Sequence, residues 1–191
     1  MKGRCRGKKR LGKCFGGLLM AFSKIRNVWA YFRNLDGALQ AGCIDDPKAV
    51  HDFVEIDEDD GQIVGWIIPH RRVHFIHGSE LSCTEEGVPA KAGQFHIPEY
   101  HFHFQPGEEN AALEVFRLDL DRGEEAHFNT SEQHRTAGNH LKNGETPFDF
   151  SNFNCRLALV MSMVYMDSKI YPLDDMKQEY YEPRLSQKKD G

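Results

Sequence analysis

Two stretches near the middle of the chain alternate between apolar and polar residues. "EYHFHFQ" at 99–105 and "EVFRLDLD" at 114–121 each carry an apolar side chain at every second position, namely Tyr100, Phe102, Phe104, Phe116, Leu118 and Leu120. Side chains along a β-strand point to opposite faces in turn, so each stretch predicts a strand with one apolar and one polar face.

The segment between these two stretches, "PGEEN" at 106–110, is rich in turn-forming residues and predicts a hairpin. A hairpin that pairs the phenylalanines of the first strand with the apolar residues of the second brings the polar side chains together on the reverse face. That face then carries His101, His103, Arg117 and Asp119.

The rest of the region from 62 to 122 contains further short runs of β-branched and aromatic residues separated by Pro, Gly and Asn. They predict an antiparallel meander. In the run "RRVHFIHGSEL" we expect Val73 and Phe75 to point inward, and Arg72 and His74 to point outward.

Helical spacing appears at both ends of this region. Residues 18–35 have apolar side chains at three- and four-residue steps, at Leu19, Phe22, Ile25, Val28 or Trp29, and Phe32. Residues 148–171 predict a C-terminal helix, capped by Asp149 or Ser151 and ended by Pro172, with an inward face of Leu157, Val160 or Met161, Val164, and Ile170. A short helix near Pro47 precedes an acidic turn, "DEDDG" at 57–61.

These elements predict a single α+β domain over residues 18–172. We expect an antiparallel sheet of four to five strands, with an N-terminal and a C-terminal helix packed on its apolar face. Residues 1–17 form a basic arm that we expect to be disordered, and residues 173–191 form a C-terminal tail.

Charge separates the arm from the rest of the chain. The arm "MKGRCRGKKRLGK" holds seven Lys and Arg residues and no acidic residue, so a chain with a net charge of −5 carries −12 outside it. Three interpretations stay open: a solvated tail or a translation start at Met20 rather than Met1, a segment that binds nucleic-acid phosphates, or a signal peptide.

Composition narrows the class of protein. No apolar run approaches the roughly 18 residues that a membrane span requires, and the five cysteines have no CxxC spacing. We therefore expect a protein without a membrane segment, in the reducing environment of the cytoplasm.

Candidate chemistry concentrates on the polar strand face and on the polar segment 122–147, which we interpret as a long loop. This loop adds His134, Arg135 and His140 to the residues of the hairpin. Four interpretations compete: a solvated sheet face, a cupin-like site in which His101, His103 and His140 hold a divalent transition metal, a metal-free RNA-cleaving site, and a binding module whose aromatic residues stack on bases.

The RNA-cleaving interpretation assigns a role to each residue type. A histidine base, His101 or His103, takes the 2′-hydroxyl proton, and a histidine acid, His140 or His134, protonates the leaving oxygen. Two further residues, Arg117 and Arg135, stabilise charge on the phosphate, while Asp119 orients a histidine or Arg117. No cofactor is needed for this chemistry.

The order of these motifs resembles the TumE-type toxins of prokaryotic toxin–antitoxin systems. Over residues 95–170, "YHFHFQ" precedes "FRLDLDR", a histidine-bearing loop with "HRTAGNH" and a terminal helix, with matching positions Tyr100, His101, His103, Arg117, Asp119, His134 and His140. The family's compact histidine cluster is here spread over "HFNTSEQHRTAGNH". The resemblance implies a toxin-like protein with a cognate antitoxin as its partner.

Overall fold

A computed structural model of the chain describes residues 23–130, 140–142, 145, 150 and 153–173. These residues form eight strands, β1 Ser23–Ile25, β2 Glu55–Asp59, β3 Gln62–His74, β4 Glu80–Pro89, β5 Phe95–Gln105, β6 Phe116–Leu120, β7 His127–Asn129 and β8 His140–Lys142. The α-helices are α1 Val28–Leu39, α2 Val50–Phe53 and α3 Cys155–Ser168, and single 3-10 turns lie at Lys91–Gly93 and Glu108–Asn110.

All eight strands belong to one antiparallel sheet. Seven of them follow one another in chain order from β2 to β8, and β1 pairs with β5 outside that path. The predicted α+β class is confirmed, with more strands than the four to five expected.

The register of β5 and β6 confirms the predicted hairpin pairing. Phe102 lies opposite Leu118, and Phe104 lies opposite Phe116. The connection between the strands is longer than a tight turn, because it runs through residues 106–115 and includes the 3-10 turn at Glu108–Asn110.

The core lies on the apolar face of the sheet, where α3 packs against β4, β5 and α1. Phe104 stacks on Phe116 with ring centroids 5.2 Å apart, and Tyr165 of α3 lies 5.6 Å from Phe104. Each aromatic side chain buried in this way contributes about 1.5–3 kcal/mol through removal of apolar surface from water. The two helices therefore cover one face of the sheet and leave its reverse face for polar residues.

A carboxylate lies within this core. Glu85 of β4 is fully buried and accepts hydrogen bonds from Tyr31 Oη at 2.6 Å, Trp66 Nε1 at 2.9 Å and the backbone N–H of Cys155 at 2.6 Å. Burial raises the pKa of Glu85, and the three hydrogen bonds oppose that shift. One side chain thus joins α1, β3, β4 and the first turn of α3.

The N-terminal helix begins later than predicted. Residues 23–25 form strand β1, which pairs with β5, and α1 begins at Val28 after the Asn27 cap, whose Oδ1 accepts the Ala30 N–H at 2.9 Å. The prediction that the helix already includes Ile25 is wrong, because Asn27 satisfies the helix N-terminus at a later position. Leu19 and Phe22 lie outside the described residues.

The acidic segment is a strand rather than a turn over most of its length. Strand β2 continues to Asp59, and only Asp60 and Gly61 form the connection to β3. Both turn residues have positive φ, 48° and 72°, as in the two-residue turns that match the twist of a hairpin. The short helix predicted before this segment is confirmed as α2.

The C-terminal helix is also shorter than predicted. It begins at Cys155, where Asn154 Oδ1 accepts the Leu157 N–H at 3.1 Å, and the predicted caps, Asp149 and Ser151, lie outside the described residues. It ends at Ser168, before the predicted stop at Pro172. Of the residues expected to face inward, Met161 and Val164 are buried, but Ile170 lies beyond the helix and is 41% exposed.

The basic arm and most of the tail lie outside the described residues, as do Met1 and Met20. Within the residues that the structure describes, no helix is long and apolar enough to cross a membrane.

Candidate functional site

Two rows of polar side chains cross the face of the sheet that is opposite the helices. Direct pairing of the strands aligns one row of Thr84, His101, Asp119, His127 and Lys142, and a second row of Arg72, Ser82, His103, Arg117, Asn129 and His140. Directly opposed residues share a face, so these two rows form one surface, here named the polar face.

The centre of the polar face is Asp119, which is only 1% exposed. Its Oδ1 lies 3.0 Å from His101 Nδ1, and its Oδ2 accepts a hydrogen bond from Asn129 Nδ2 at 3.1 Å. Two further groups are close: Arg117 Nη2 lies 3.7 Å from Oδ1, and His127 Nε2 lies 3.8 Å from Oδ2.

Burial raises the pKa of Asp119, but its surroundings outweigh burial. The hydrogen bond from His101 and the charges of Arg117, His101 and His127 bring the pKa of Asp119 below its ordinary value. The carboxylate is therefore ionised near neutral pH although it is buried.

His101 faces carboxylates with both ring nitrogens. Its Nδ1 donates to Asp119, because an ionised carboxylate can only accept, and its Nε2 lies 3.7 Å from Asp121 Oδ1 and 3.8 Å from Glu99 Oε1. The hydrogen bond to Asp119 raises the pKa of His101, burial lowers it, and the charges of Asp119, Asp121 and Glu99 raise it further. The net shift is upward, which favours an imidazolium that can donate a proton.

The second row brings histidine and arginine together. His103 lies directly opposite Arg117, and Asn129 lies opposite both Arg117 and His140. The His140 ring also packs against His127, with ring centroids 3.9 Å apart at an angle of 67°. A cation, two imidazoles and an amide therefore lie next to the buried carboxylate.

Most of the other charges on this face are compensated by close neighbours. Arg122 pairs with Glu86, Lys142 Nζ lies 3.3 Å from Glu125 Oε2, and Glu80 lies 3.5 Å from both Arg72 and His74. Exposed pairs of this kind contribute little to stability. Asp119 and its contacts His101, Arg117, His127 and Asn129, here named the Asp119 cluster, are therefore the main group of buried polar side chains on the face.

The structure brings together five of the predicted site residues, His101, His103, Arg117, Asp119 and His140. The other two, His134 and Arg135, lie outside the described residues. Segment 122–147 is not a single loop, because it contains β7 and β8, and β8 carries His140 into the sheet.

Sequence reasoning missed Asn129 and the position of His127 within the cluster. Both belong to β7, a strand of three residues, "HFN". A strand this short shows one polar, one apolar and one polar residue, which is too little to establish a period of two. The alternation was the only signal that could have placed them on the polar face.

The donor groups of the polar face do not fit a metal site. Among the described residues, no three His, Cys, Asp or Glu side chains are arranged so that they could hold a metal ion, and the set His101, His103 and His140 is no exception. Asp119, the carboxylate beside His101, is instead shared between His101, Asn129 and Arg117.

No protein-family model, curated protein or solved structure matches the chain.

Proposed function

We propose that the polar face is the active site of a toxin-like endoribonuclease that works without a metal ion. The observation that supports it best is the buried, ionised Asp119 with its hydrogen bond to His101 at 3.0 Å. A carboxylate that fixes the orientation of an imidazole and favours its protonated form prepares a histidine to donate a proton.

The proposed reaction needs a base, an acid and a positive charge. His103 takes the proton of a ribose 2′-hydroxyl, whose oxygen attacks the adjacent phosphorus. His101, in place of the His140 or His134 considered from the sequence, gives its Nε2 proton to the departing 5′ oxygen. The products are a 2′,3′-cyclic phosphate and a free 5′-hydroxyl. Arg117, beside His103, stabilises the charge that develops on the phosphate oxygens.

Spacing on the strand supports this division of roles. Two residues that share a face of one strand, as His101 and His103 do on β5, are separated by about 6.6 Å along the backbone. A phosphoryl group with its attacking and leaving oxygens in line can lie between two such imidazoles. The raised pKa of His101 supports the acid role for this residue.

The proposal also covers the cellular role of the protein and the control of its activity. The TumE-type resemblance of residues 95–170 supports a toxin that acts on RNA in the cytoplasm and is held inactive by an antitoxin. A protein partner that covers the polar face would exclude RNA from Asp119 and its neighbours.

The test is cleavage of total RNA by purified full-length protein, with and without EDTA. We expect cleavage that EDTA does not affect, and a fall of at least about 100-fold in His101→Ala and in His103→Ala, the range typical for loss of a general acid or base. The matched control is His77→Ala. His77 forms a comparable pair with Glu109 at 2.8 Å, but it lies in the turn between β3 and β4.

Unfolding curves of all three variants separate loss of activity from loss of structure. Cleavage that persists in both polar-face variants, or that EDTA abolishes, would contradict the proposal. An absence of cleavage by the wild-type protein would favour a solvated sheet face or a binding surface instead.

A further inference from the structure

Arg117 and Asn129 share one anchor on the polar face. They lie directly opposite each other on β6 and β7, and each contacts a different oxygen of Asp119. Asn129 Nδ2 donates to Oδ2 at 3.1 Å, and Arg117 Nη2 lies 3.7 Å from Oδ1. The carboxylate thereby fixes the position of both side chains.

Each of these two side chains has a second polar atom that is buried. Arg117 Nε and Asn129 Oδ1 have no hydrogen-bond partner in the part of the chain that the structure describes, and Asn129 is 0% exposed. The amide orientation of Asn129 is determined, because only its NH2 group can donate to a carboxylate. The atom that remains is therefore an acceptor on Asn129, beside a donor on Arg117.

A buried donor and a buried acceptor without partners are costly to leave unsatisfied. Directly opposed residues have Cα atoms about 4.5–5.5 Å apart, so the two side chains are immediate neighbours on the polar face. A single group can be the partner of both atoms if one of its own atoms accepts from Arg117 Nε–H and donates to Asn129 Oδ1. A hydroxyl group has both capacities.

We propose that Arg117 and Asn129 form a subsite for a ribose 2′-hydroxyl, with Arg117 Nε donating to its oxygen and Asn129 Oδ1 accepting its proton. This inference rests on the proposed function and names the part of the substrate that the site recognises. In the bound substrate the hydroxyl proton points to Asn129 Oδ1. For reaction the hydroxyl turns about its C–O bond towards His103, which lies opposite Arg117 and takes this proton as the oxygen attacks phosphorus. Because DNA lacks the 2′-hydroxyl, the subsite selects RNA.

Binding, rather than cleavage, tests the subsite. Full-length protein carrying His101→Ala, which keeps RNA intact under the proposed mechanism, is titrated with three short single strands of one sequence: ribose, 2′-fluoro and deoxyribose. A 2′-fluoro group keeps a ribose-like sugar but has no proton to donate. We expect the ribose strand to bind about 5- to 10-fold more tightly than the 2′-fluoro strand, as for one well-made hydrogen-bonded group.

Two further variants in the same background remove the two halves of the subsite. Arg117→Lys keeps the positive charge but has no Nε–H, and Asn129→Leu keeps the approximate size but has no acceptor. Both should bind the ribose and 2′-fluoro strands equally, so that the ratio of the two affinities falls to about 1 whatever the change in overall affinity. The control Arg72→Lys, a charge-conserving change in the same row, should keep the preference.

The outcomes separate this inference from the proposed function. The subsite is overturned if the parent protein binds the ribose and 2′-fluoro strands equally, or if its preference survives Arg117→Lys and Asn129→Leu. A bound water molecule would then be the partner of Arg117 Nε and Asn129 Oδ1. A preference for ribose in a protein that does not cleave RNA retains the subsite and overturns the ribonuclease. Cleavage of RNA without a preference for the ribose strand retains the ribonuclease and overturns the subsite. Binding of none of the three strands also overturns the subsite.

Discussion

At the scale of single residues, Asp119 controls the protonation of His101. Replacing Asp119 by Asn removes the hydrogen-bonded charge that raises the pKa of His101, so we expect this pKa to fall. An NMR titration of the His101 ring measures the change directly. Glu109→Gln is the control, because Glu109 pairs with His77 outside the polar face and should leave His101 unchanged.

The same substitution should change how stability depends on pH. The pKa of His101 is higher in the folded than in the unfolded state, so His101 adds stability in full below its unfolded pKa, and this stability is lost as pH rises through its folded pKa. The pKa of Asp119 is lower in the folded state, so the stability that Asp119 adds is lost as pH falls through its folded pKa. We therefore expect Asp119→Asn to cost most between about pH 4 and 6.5. The loss should be about 1–2 kcal/mol, since His101 is partly exposed to solvent.

Urea unfolding at several pH values tests this window. A deficit of Asp119→Asn that stays constant from pH 4 to 9 would show that the carboxylate acts as a packing group and not through its charge.

At the scale of elements, the contact between β3 and β4 depends on a missing side chain. Gly87 lies opposite Trp66, and a Cβ at Gly87 would overlap the indole ring. Trp66 cannot move away easily, because it is 1% exposed and its Nε1 is bonded to Glu85. We expect Gly87→Ala to lower the free energy of unfolding by about 1–3 kcal/mol, as overpacking does.

Gly42→Ala is the matched control, because no atom lies within 4 Å of the position its Cβ would take. Its stability should stay within about 0.5 kcal/mol of the wild type in the same urea experiment. Equal stability of the two variants would mean that Trp66 repacks at no cost.

A second prediction at this scale concerns the link between helices and sheet. Glu85→Gln replaces an acceptor of the Cys155 N–H by an NH2 group that cannot accept, so the first turn of α3 loses a partner. We expect a loss of about 1–3 kcal/mol. Because the pKa of Glu85 is higher in the folded than in the unfolded state, the stability of the wild-type protein falls as pH rises through the folded-state pKa. The stability difference between the wild type and Glu85→Gln should therefore be largest in acid and shrink with rising pH.

Glu86→Gln is the control for this change. Glu86 is the next residue of β4, points to the polar face and pairs there with the exposed Arg122. Its removal should change stability by less than about 1 kcal/mol. If Glu85→Gln unfolds at the same urea concentration as Glu86→Gln, the three buried hydrogen bonds make no net contribution.

The elements that sequence predicted well are those with a clear period. Alternation over 99–105 and 114–121 was enough to pair β5 with β6 and to place His101 beside Asp119. Strand β2 was missed because it lies at the sheet edge with all five residues exposed, and its single apolar residue, Ile56, cannot mark a period. The start of α1 was missed because Ile25 continues an apolar spacing, while the Asn27 cap and the pairing of β1 with β5 decide the boundary.

At the scale of the whole molecule, charge is separated along the sheet. The carboxylates of β2 lie at one edge, whereas the Asp119 cluster lies among β5, β6 and β7 towards the other. Charged side chains on an edge strand oppose pairing with other chains. The four carboxylates of β2, Glu55, Asp57, Glu58 and Asp59, therefore serve that edge and lie away from an anionic ligand at the polar face.

The basic segment 1–13 of the arm carries positive charge that the rest of the chain lacks, so under the proposed function we expect it to contact RNA outside the polar face. Neutralising its seven Lys and Arg residues to Gln in the full-length protein should raise KM and leave kcat unchanged. For single-stranded RNA, each phosphate contact adds about 0.7 to the slope of log affinity against log salt, so losing three contacts should reduce that slope by about 2. Arg33→Gln with Lys91→Gln, two exposed cations away from the polar face, should leave the slope unchanged. An equal slope with and without the charged arm would remove RNA binding from its roles. Under the proposed function, RNA would then have to be held by Arg117 and its neighbours alone.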